Sequence, residues 1–278
     1  MDLKEVQDKS YELLCLIDDI CRAEGVRYFL AFGTELGAVR EKDIIPWDDD
    51  IDIKVLLEDY PAFRAAMEKH LPEHIRLTEP AEFSPAFYDF LVRITDDRYM
   101  LRRETDADRF YGNRQNRVGI DVFIQFRVPE GKAARLLTRA RLTALYGMGM
   151  AHRYRLDWKK YSALEKAAVR VLSVIGKCIP AEKTVQRFYR VVGRLDRKPS
   201  ALSMNTLLEP RCLAKSSWYT GTENGELRGR SFPLPAGCRE ELAALYGDYM
   251  SPPPDRNAYI QHLDEADRYR EDGEKKKD

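Results

Sequence analysis

The sequence predicts an α+β fold, a mixed sheet flanked by helices with an added helical region, on three observations. Short apolar segments of strand character alternate with helical stretches over residues 1–130. One segment, Asp50 to Leu57, alternates acidic and apolar residues with the two-residue period of a half-buried strand. From Lys132 to Leu195 strand signals fade and helical periodicity takes over.

Each element has its own signal. Leu3 to Glu24 carries Val6, Leu13, Leu14, Ile17, Ile20 and Cys21 at helical spacing, and Gly25 supplies a stop. Val26 to Phe32 is β-branched and aromatic, as in a buried strand. Gly33-Thr34 is expected to end it in a turn, with a short helix over Glu35 to Lys42. Pro46-Trp47 breaks the chain before the acidic strand, and Asp59 to Leu71 reads as a helix that tolerates Pro61 in its first turn. Phe87 to Thr95 and Val118 to Phe126 are further strands, separated by the Arg-rich stretch Arg102 to Arg117. Pro180 divides the helical region into two blocks. Ser203 to Cys238 reads as irregular, with turns at Gly221, Gly225, Gly229, Pro233 and Pro235, and Arg239 to Tyr249 makes a last helix before Pro252-Pro253-Pro254. The organisation expected is a core over residues 1–130, a basic helical region over 131–200 and a segment over 201–278 that packs back on the core.

Composition narrows the class. Of 278 residues 44% are hydrophobic and 33% charged, which excludes a collagen-like or fully disordered chain. Lys+Arg and Asp+Glu number 46 each, so the net charge is zero, but only by cancellation. Lys132 to Lys198 holds 17 basic and 4 acidic residues, a local +13, and the rest of the chain carries −13. The 5 cysteines (Cys15, Cys21, Cys178, Cys212, Cys238) show no CxxC spacing, which argues against a disulfide framework or a zinc site. Met1 to Glu5 opens polar, without the apolar core of a signal peptide, and the apolar run Ala167 to Ile179 is short and interrupted by Arg170 and Lys177. A cytoplasmic protein is expected, with a peripheral place at the inner face of the membrane as a variant of that expectation.

The chemistry concentrates in Pro46-Trp47-Asp48-Asp49-Asp50-Ile51-Asp52-Ile53. Alternation puts Asp50 and Asp52 on one strand face and Ile51, Ile53 and Val55 on the other. Two carboxylates roughly 6.6 Å apart along a strand suit divalent cations about 3.5–4 Å apart. Asp48 shares their parity. The competing reading is a solvated acidic loop, against which stands a repulsion of roughly 3 kcal/mol for two carboxylates ~5 Å apart at an effective dielectric near 20. A strand ending in Gly33-Thr34, a short helix and a strand bearing Asp-x-Asp form the nucleotidyltransferase signature. In it glycine lets a phosphate approach, the hydroxyl and backbone amides bind it, and carboxylates hold metal. Asp121, the single acid in Val118 to Ile124, fits the third carboxylate that such a fold requires, or else is a strand-edge residue.

These residues resemble the LicD-type phosphotransferases, to which the fukutin-type proteins are related. The resemblance rests on Tyr28-Phe29-Leu30, on Gly33 to Arg40 and on Ile45 to Ile53. It continues through Gly119 to Phe123, Phe232 to Pro235, Leu245 to Met250, Pro252-Pro253 and His262. Glu35 departs from it, standing where an apolar residue is more usual. The resemblance implies transfer of phosphocholine or a polyol phosphate from a CDP-activated alcohol donor to a sugar hydroxyl of a glycan or teichoic acid, lipid-linked in some cases, with release of CMP. It implies that Asp50 and Asp52 hold Mg²⁺ (or Mn²⁺), with Asp48 as an additional ligand. Asp121 would be a further ligand or the base for the acceptor hydroxyl, and Gly33 and Thr34 would cradle the donor phosphates. Arg40 would pair with a phosphate oxygen or else be a solvated helix residue. His262 would close over the site; on the residues alone it is structural or solvated.

Other residues carry alternatives. Trp47 suits a turn anchor better than a surface for a base or a choline-like group. Phe83, Phe87, Tyr88 and Phe90 suit a core better than a donor pocket. The basic block reads as solvated helix faces, as a dock for an anionic acceptor or an anionic membrane surface, or, least favoured, as a nucleic-acid site; no nucleic acid partner is expected, since no recognition motif accompanies the charge. Two other functions remain open at this point: an NMP transferase that releases pyrophosphate from an NTP, and a catalytically silent glycan- or membrane-binding module.

Overall fold

The computed structural model describes residues 1–156, 158 and 161–251. The chain builds a seven-stranded mixed sheet in the order β1-β2-β5-β4-β3, with β6 paired to β5 and β7 to β6, and a separate two-stranded ribbon, β8-β9. The strands are β1 (Phe29–Leu30), β2 (Ile51–Leu56), β3 (Ile75–Thr78), β4 (Val92–Met100), β5 (Arg117–Val128), β6 (Leu202–Asn205), β7 (Ala214–Lys215), β8 (Thr222–Leu227) and β9 (Arg230–Pro235). Among the described residues only β2 and β5 pair in parallel. The helices are α1 (Leu3–Glu24), α2 (Phe32–Leu36), α3 (Tyr60–His70), α4 (Asp106–Phe110), α5 (Lys132–Gly149), α6 (Ala163–Lys177), α7 (Ala181–Asp196) and α8 (Cys238–Tyr246). The mixed α+β class expected from the sequence is the class observed.

Alternation along the strands decides which face is core. Ile51, Ile53 and Val55 of β2, Ile120, Val122 and Ile124 of β5, and Val92 and Ile94 of β4 are buried together against α1 and α3. α1 presents Leu13, Leu14, Ile17, Ile20 and Cys21 to this core, and it begins with a capping box in which Asp2 accepts from the Glu5 amide. Gly25 at φ 66 ends it, a left-handed conformation that glycine adopts without steric cost. A second core joins α5, α7 and the ends of β5 and β6 around Phe87, Phe90 and Phe188, with the Phe90 and Phe188 rings stacked 3.7 Å apart. The β8-β9 ribbon is tied to α1 by Arg230 to the buried Asp18 (2.6 Å) and by Arg228 to Asp8 (2.7 Å).

Several boundaries differ from expectation. The segment Val26 to Phe32 pairs only over Phe29–Leu30. Gly33 and Thr34 lie inside α2, which starts at Phe32, so no separate turn precedes the helix. Phe32 takes φ 47, a strained value for a bulky residue, and this abrupt reversal starts the helix early. The acidic strand begins at Ile51, leaving Asp50 just ahead of it. The strand expected at Phe87 to Thr95 is displaced to Val92–Met100, because Phe87 and Phe90 serve the second core instead. Residues 222–235, expected to be irregular, form the β8-β9 hairpin, which turns at Arg228-Gly229, both at positive φ. Among the described residues no helix is long and apolar enough to cross a membrane.

Candidate active site

The site lies on the sheet face opposite the α1–α3 core. Parallel pairing places Asp52 of β2 beside Asp121 of β5, and antiparallel pairing places Asp121 beside Arg93 of β4. Their apolar neighbours in sequence all point to the core, so these three side chains share the other face, an acid–acid–base row across adjacent strands. Arg93 Nε donates to Asp121 Oδ1 at 2.6 Å, and its Nη1 donates to the Gln115 carbonyl at 3.2 Å. Burial works against the Arg93 charge, but Asp121, Tyr88 and Asp50 outweigh it and hold its pKa above the ordinary value.

The loop ahead of β2 brings more acid. Asp48, Asp49 and Asp50 place one carboxylate oxygen each within 4.8 Å of one another. Asp49 is the residue that strand parity left out; ahead of the strand, parity does not apply. Gly33 leaves room for the Asp48 carboxylate, since a Cβ there would sit 2.3 Å from Asp48 Oδ2. The Thr34 hydroxyl accepts from the Asp52 amide at 2.9 Å and so fixes the start of β2 against α2. Thus Gly33 and Thr34, expected at donor phosphates, are placed directly against the acidic segment.

Desolvation and like charge dominate the electrostatics of this face. The Asp52 carboxyl is pushed well above the usual carboxylate range, first by desolvation and then by Asp50, Asp121 and Asp48, with Arg93 opposing. Tyr246, at the end of α8, is also pushed up, by burial and then by Asp52, Asp48 and Glu35, which puts α8 within electrostatic reach of the same cluster. A set of hard carboxylate oxygens this close together fits Mg²⁺ or Mn²⁺ by donor type.

Behind the acidic row lies a buried charge network. Lys54, two residues after Asp52 on the same strand face, is wholly buried. Its ammonium pairs with Glu35 at 3.2 Å and, more closely, with Glu241 of α8. The Tyr219 hydroxyl donates to Glu241 at 2.9 Å. Burial opposes the Lys54 charge, yet Glu241 and Glu35 raise its pKa overall. Glu35 is pushed up to about 8 by burial, and the neighbouring Lys54 only partly offsets this. The departure noted at Glu35 is therefore one end of a network that joins α2, β2 and α8. Nothing in the sequence pointed to Lys54 or Glu241, which stand far apart along the chain.

The remaining candidates lie around this centre. Arg40 is nearly buried, with Nε on Glu41 (2.7 Å) and Nη1 on the Tyr249 carbonyl (3.0 Å). Trp47 packs against the small cluster of Leu36, Ile45 and Leu242. Tyr88 stacks on Phe83 (5.4 Å) and meets Tyr111 edge-on (5.3 Å). Beside these rings opens a cleft of about 660 Å³ lined by Phe83, Phe110, Tyr111, Arg114 and Arg153, among others. Tyr88, stacked on the cleft residue Phe83, lies within electrostatic range of Arg93 and Asp121. His262 lies outside the described residues.

Residues 25–131 match the family model described as LicD/FKTN/FKRP, nucleotidyltransferase domain. That span contains the whole acidic row. The chain is 26% identical over 274 residues to the lipopolysaccharide cholinephosphotransferase LicD of Haemophilus influenzae, covering 95% of this chain and 99% of that protein. A 40-residue stretch is 55% identical to the mouse ribitol 5-phosphate transferase FKRP, 14% of this chain and 8% of that protein. The human FKRP gives the same 55% over 40 residues. The chain carries a LicD-family nucleotidyltransferase domain and is homologous to LicD- and FKRP-type proteins.

Proposed function

We propose that this protein transfers a phosphoalcohol group from a CDP-activated donor to a sugar hydroxyl of a glycan, releasing CMP, with Mg²⁺ or Mn²⁺ as cofactor. The observation that carries the reading is the pairing of Asp52 with Asp121 across parallel strands, with Asp48 and Asp50 close enough to load charge on Asp52. Four carboxylates so placed, with one guanidinium among them, are costly unless a cation joins them. Similarity to a cholinephosphotransferase and to ribitol 5-phosphate transferases supports phosphoalcohol transfer as the general reaction. The choice of donor and acceptor is part of the proposal.

Asp48, Asp50, Asp52 and Asp121 are the residues proposed to hold the cation. When bound, it would neutralise charge on the transferred phosphoryl group and on the departing CMP. Arg93 fixes Asp121 Oδ1, so Oδ2 is the atom assigned to take the acceptor hydroxyl's proton if Asp121 acts as base. Thr34 holds the Asp52 backbone amide, and the missing side chain of Gly33 leaves room for the Asp48 carboxylate. The aromatic cleft beside Tyr88, with Arg114 and Arg153 on its walls, is proposed to take part of a substrate that carries negative charge.

The test is release of CMP from CDP-choline, CDP-ribitol and CDP-glycerol with glycan acceptors and a divalent cation. CMP is the expected product. Pyrophosphate release from an NTP, with no CMP from any CDP-alcohol, would replace this reading with nucleotidyl transfer.

A further inference from the structure

α6 is apolar on two sides, and among the described residues only one of them is covered. Its inner side, Val169, Leu172 and Gly176, packs on α5, so tightly that a Cβ at Gly176 would lie 2.1 Å from the Met148 carbonyl oxygen. Its outer side is a second apolar stripe, Leu164, Ala167, Ala168, Val171, Val174 and Ile175, all exposed. Leu164 is 85% exposed, Val171 62% and Val174 66%. At 3.6 residues per turn these six positions fall within an arc of roughly 120°. Lys166, Arg170 and Lys177 occupy a narrow arc directly beside it, on one flank. The only acid of the helix, Glu165, is engaged at the N-terminus, accepting from the Ser162 amide at 2.8 Å.

The surroundings extend the same chemistry. Arg170 lies over the Trp158 ring at 5.4 Å, which sets a half-exposed indole beside the basic flank. α7 presents Lys183, Arg187, Arg190 and Arg194 at helical spacing on its exposed side. On α5, Leu136 and Leu137 are also exposed. A monomer surface rarely leaves so regular an apolar stripe in water. An apolar face bordered by cations, with an indole at the boundary, is the pattern of a helix that lies in a lipid interface.

We propose that the outer face of α6 docks this protein on an anionic lipid bilayer, with the helix in the plane of the interface, the apolar stripe at the acyl boundary and the basic flank against lipid phosphates. Charge decides the occupant. The region from Lys132 to Lys198 carries a net +13 in a chain of zero net charge, so an anionic surface is attracted to this side rather than to the acidic site. The inference is independent of which alcohol is transferred, or of whether one is.

The test is co-sedimentation of the full chain with phosphatidylcholine vesicles and with vesicles containing about a third phosphatidylglycerol. Binding is expected to the anionic vesicles only, and to weaken in about 1 M salt, where the Debye length shrinks to roughly 3 Å. The double variant V171E/V174E changes two exposed residues and should melt as the wild type does while its vesicle affinity falls about tenfold or more. K166E/R170E should lose affinity as well, which separates charge from a merely sticky apolar face. Absence of binding to anionic vesicles, or equal binding by V171E/V174E, overturns the proposal. So does a wild-type dimer in light scattering that V171E/V174E converts to monomer with no change in vesicle binding, because the stripe would then be a self-association surface.

Discussion

Arg93 Nε and Asp121 Oδ1 stand 2.6 Å apart on adjacent antiparallel strands, and this pair closes a row that begins with Asp52. One guanidinium thus answers several carboxylates. Arg93→Gln removes it and leaves Asp121 beside Asp52 without a counter-charge. Stability is expected to fall by about 1–3 kcal/mol, read from the urea midpoint, and turnover to fall with it. An unchanged midpoint would show that the pair carries no structural role.

Gly33 is tested differently. A methyl group at that position would meet the Asp48 carboxylate at 2.3 Å, and a carboxylate is the movable end of a side chain. Gly33→Ala should therefore displace Asp48 at little cost in stability, within about 1 kcal/mol of wild type. A misplacement near 1 Å in a catalytic group lowers turnover by up to ~100-fold. Loss of fold instead of activity would mean that Gly33 serves packing rather than the acidic loop.

Lys54 has no route to water, and both of its carboxylate partners are buried. Lys54→Met leaves Glu35 and Glu241 facing each other without the ammonium, and a loss of about 3–5 kcal/mol is expected. The triple variant K54M/E35Q/E241Q removes the charges together and should recover part of that loss. A single variant as stable as the wild type would contradict the network as described.

Glu35 gives the network a pH signature. Its carboxyl is pushed up to about 8 in the folded chain, whereas an unfolded glutamate titrates near 4.3. Between those values the folded state holds the extra proton, so this contribution is present at low pH and is lost as pH rises through the folded value. Glu35→Gln abolishes this proton linkage. From about pH 6 to about pH 9 the melting temperature of wild type should decline more steeply than that of the variant. Parallel declines would place the Glu35 titration elsewhere.

Part of this was legible in the sequence, and the division has physical reasons. Alternation in Ile51-Asp52-Ile53 announced which side chains meet the core, because one buried face forces a period of two. Asp121 was recognisable as a lone acid in an apolar strand, but its partner was not, since Arg93 reaches it only through the register of β4. That register was hidden by Phe87 and Phe90, whose strand-like aromatic character serves the second core. The β8-β9 hairpin was disguised by Gly225, Pro233 and Pro235 within its strands, and the Arg228-Gly229 turn is a weaker signal than Asn-Gly. Glu35, Lys54 and Glu241 come together only when α8 packs over α2, a long-range contact that no local pattern encodes.

The most direct measurement is CMP release from the panel of CDP-alcohols by wild type and by Asp52→Asn, each with Mg²⁺ and with chelator. Asp52 begins the acidic row and is the carboxylate on which Asp50, Asp121 and Asp48 act together. The expected result is cation-dependent CMP release by wild type and none by a folded Asp52→Asn variant. CMP release that persists in that variant, or that proceeds equally in chelator, would contradict the assignment of the acidic row as a cation-dependent phosphotransfer centre.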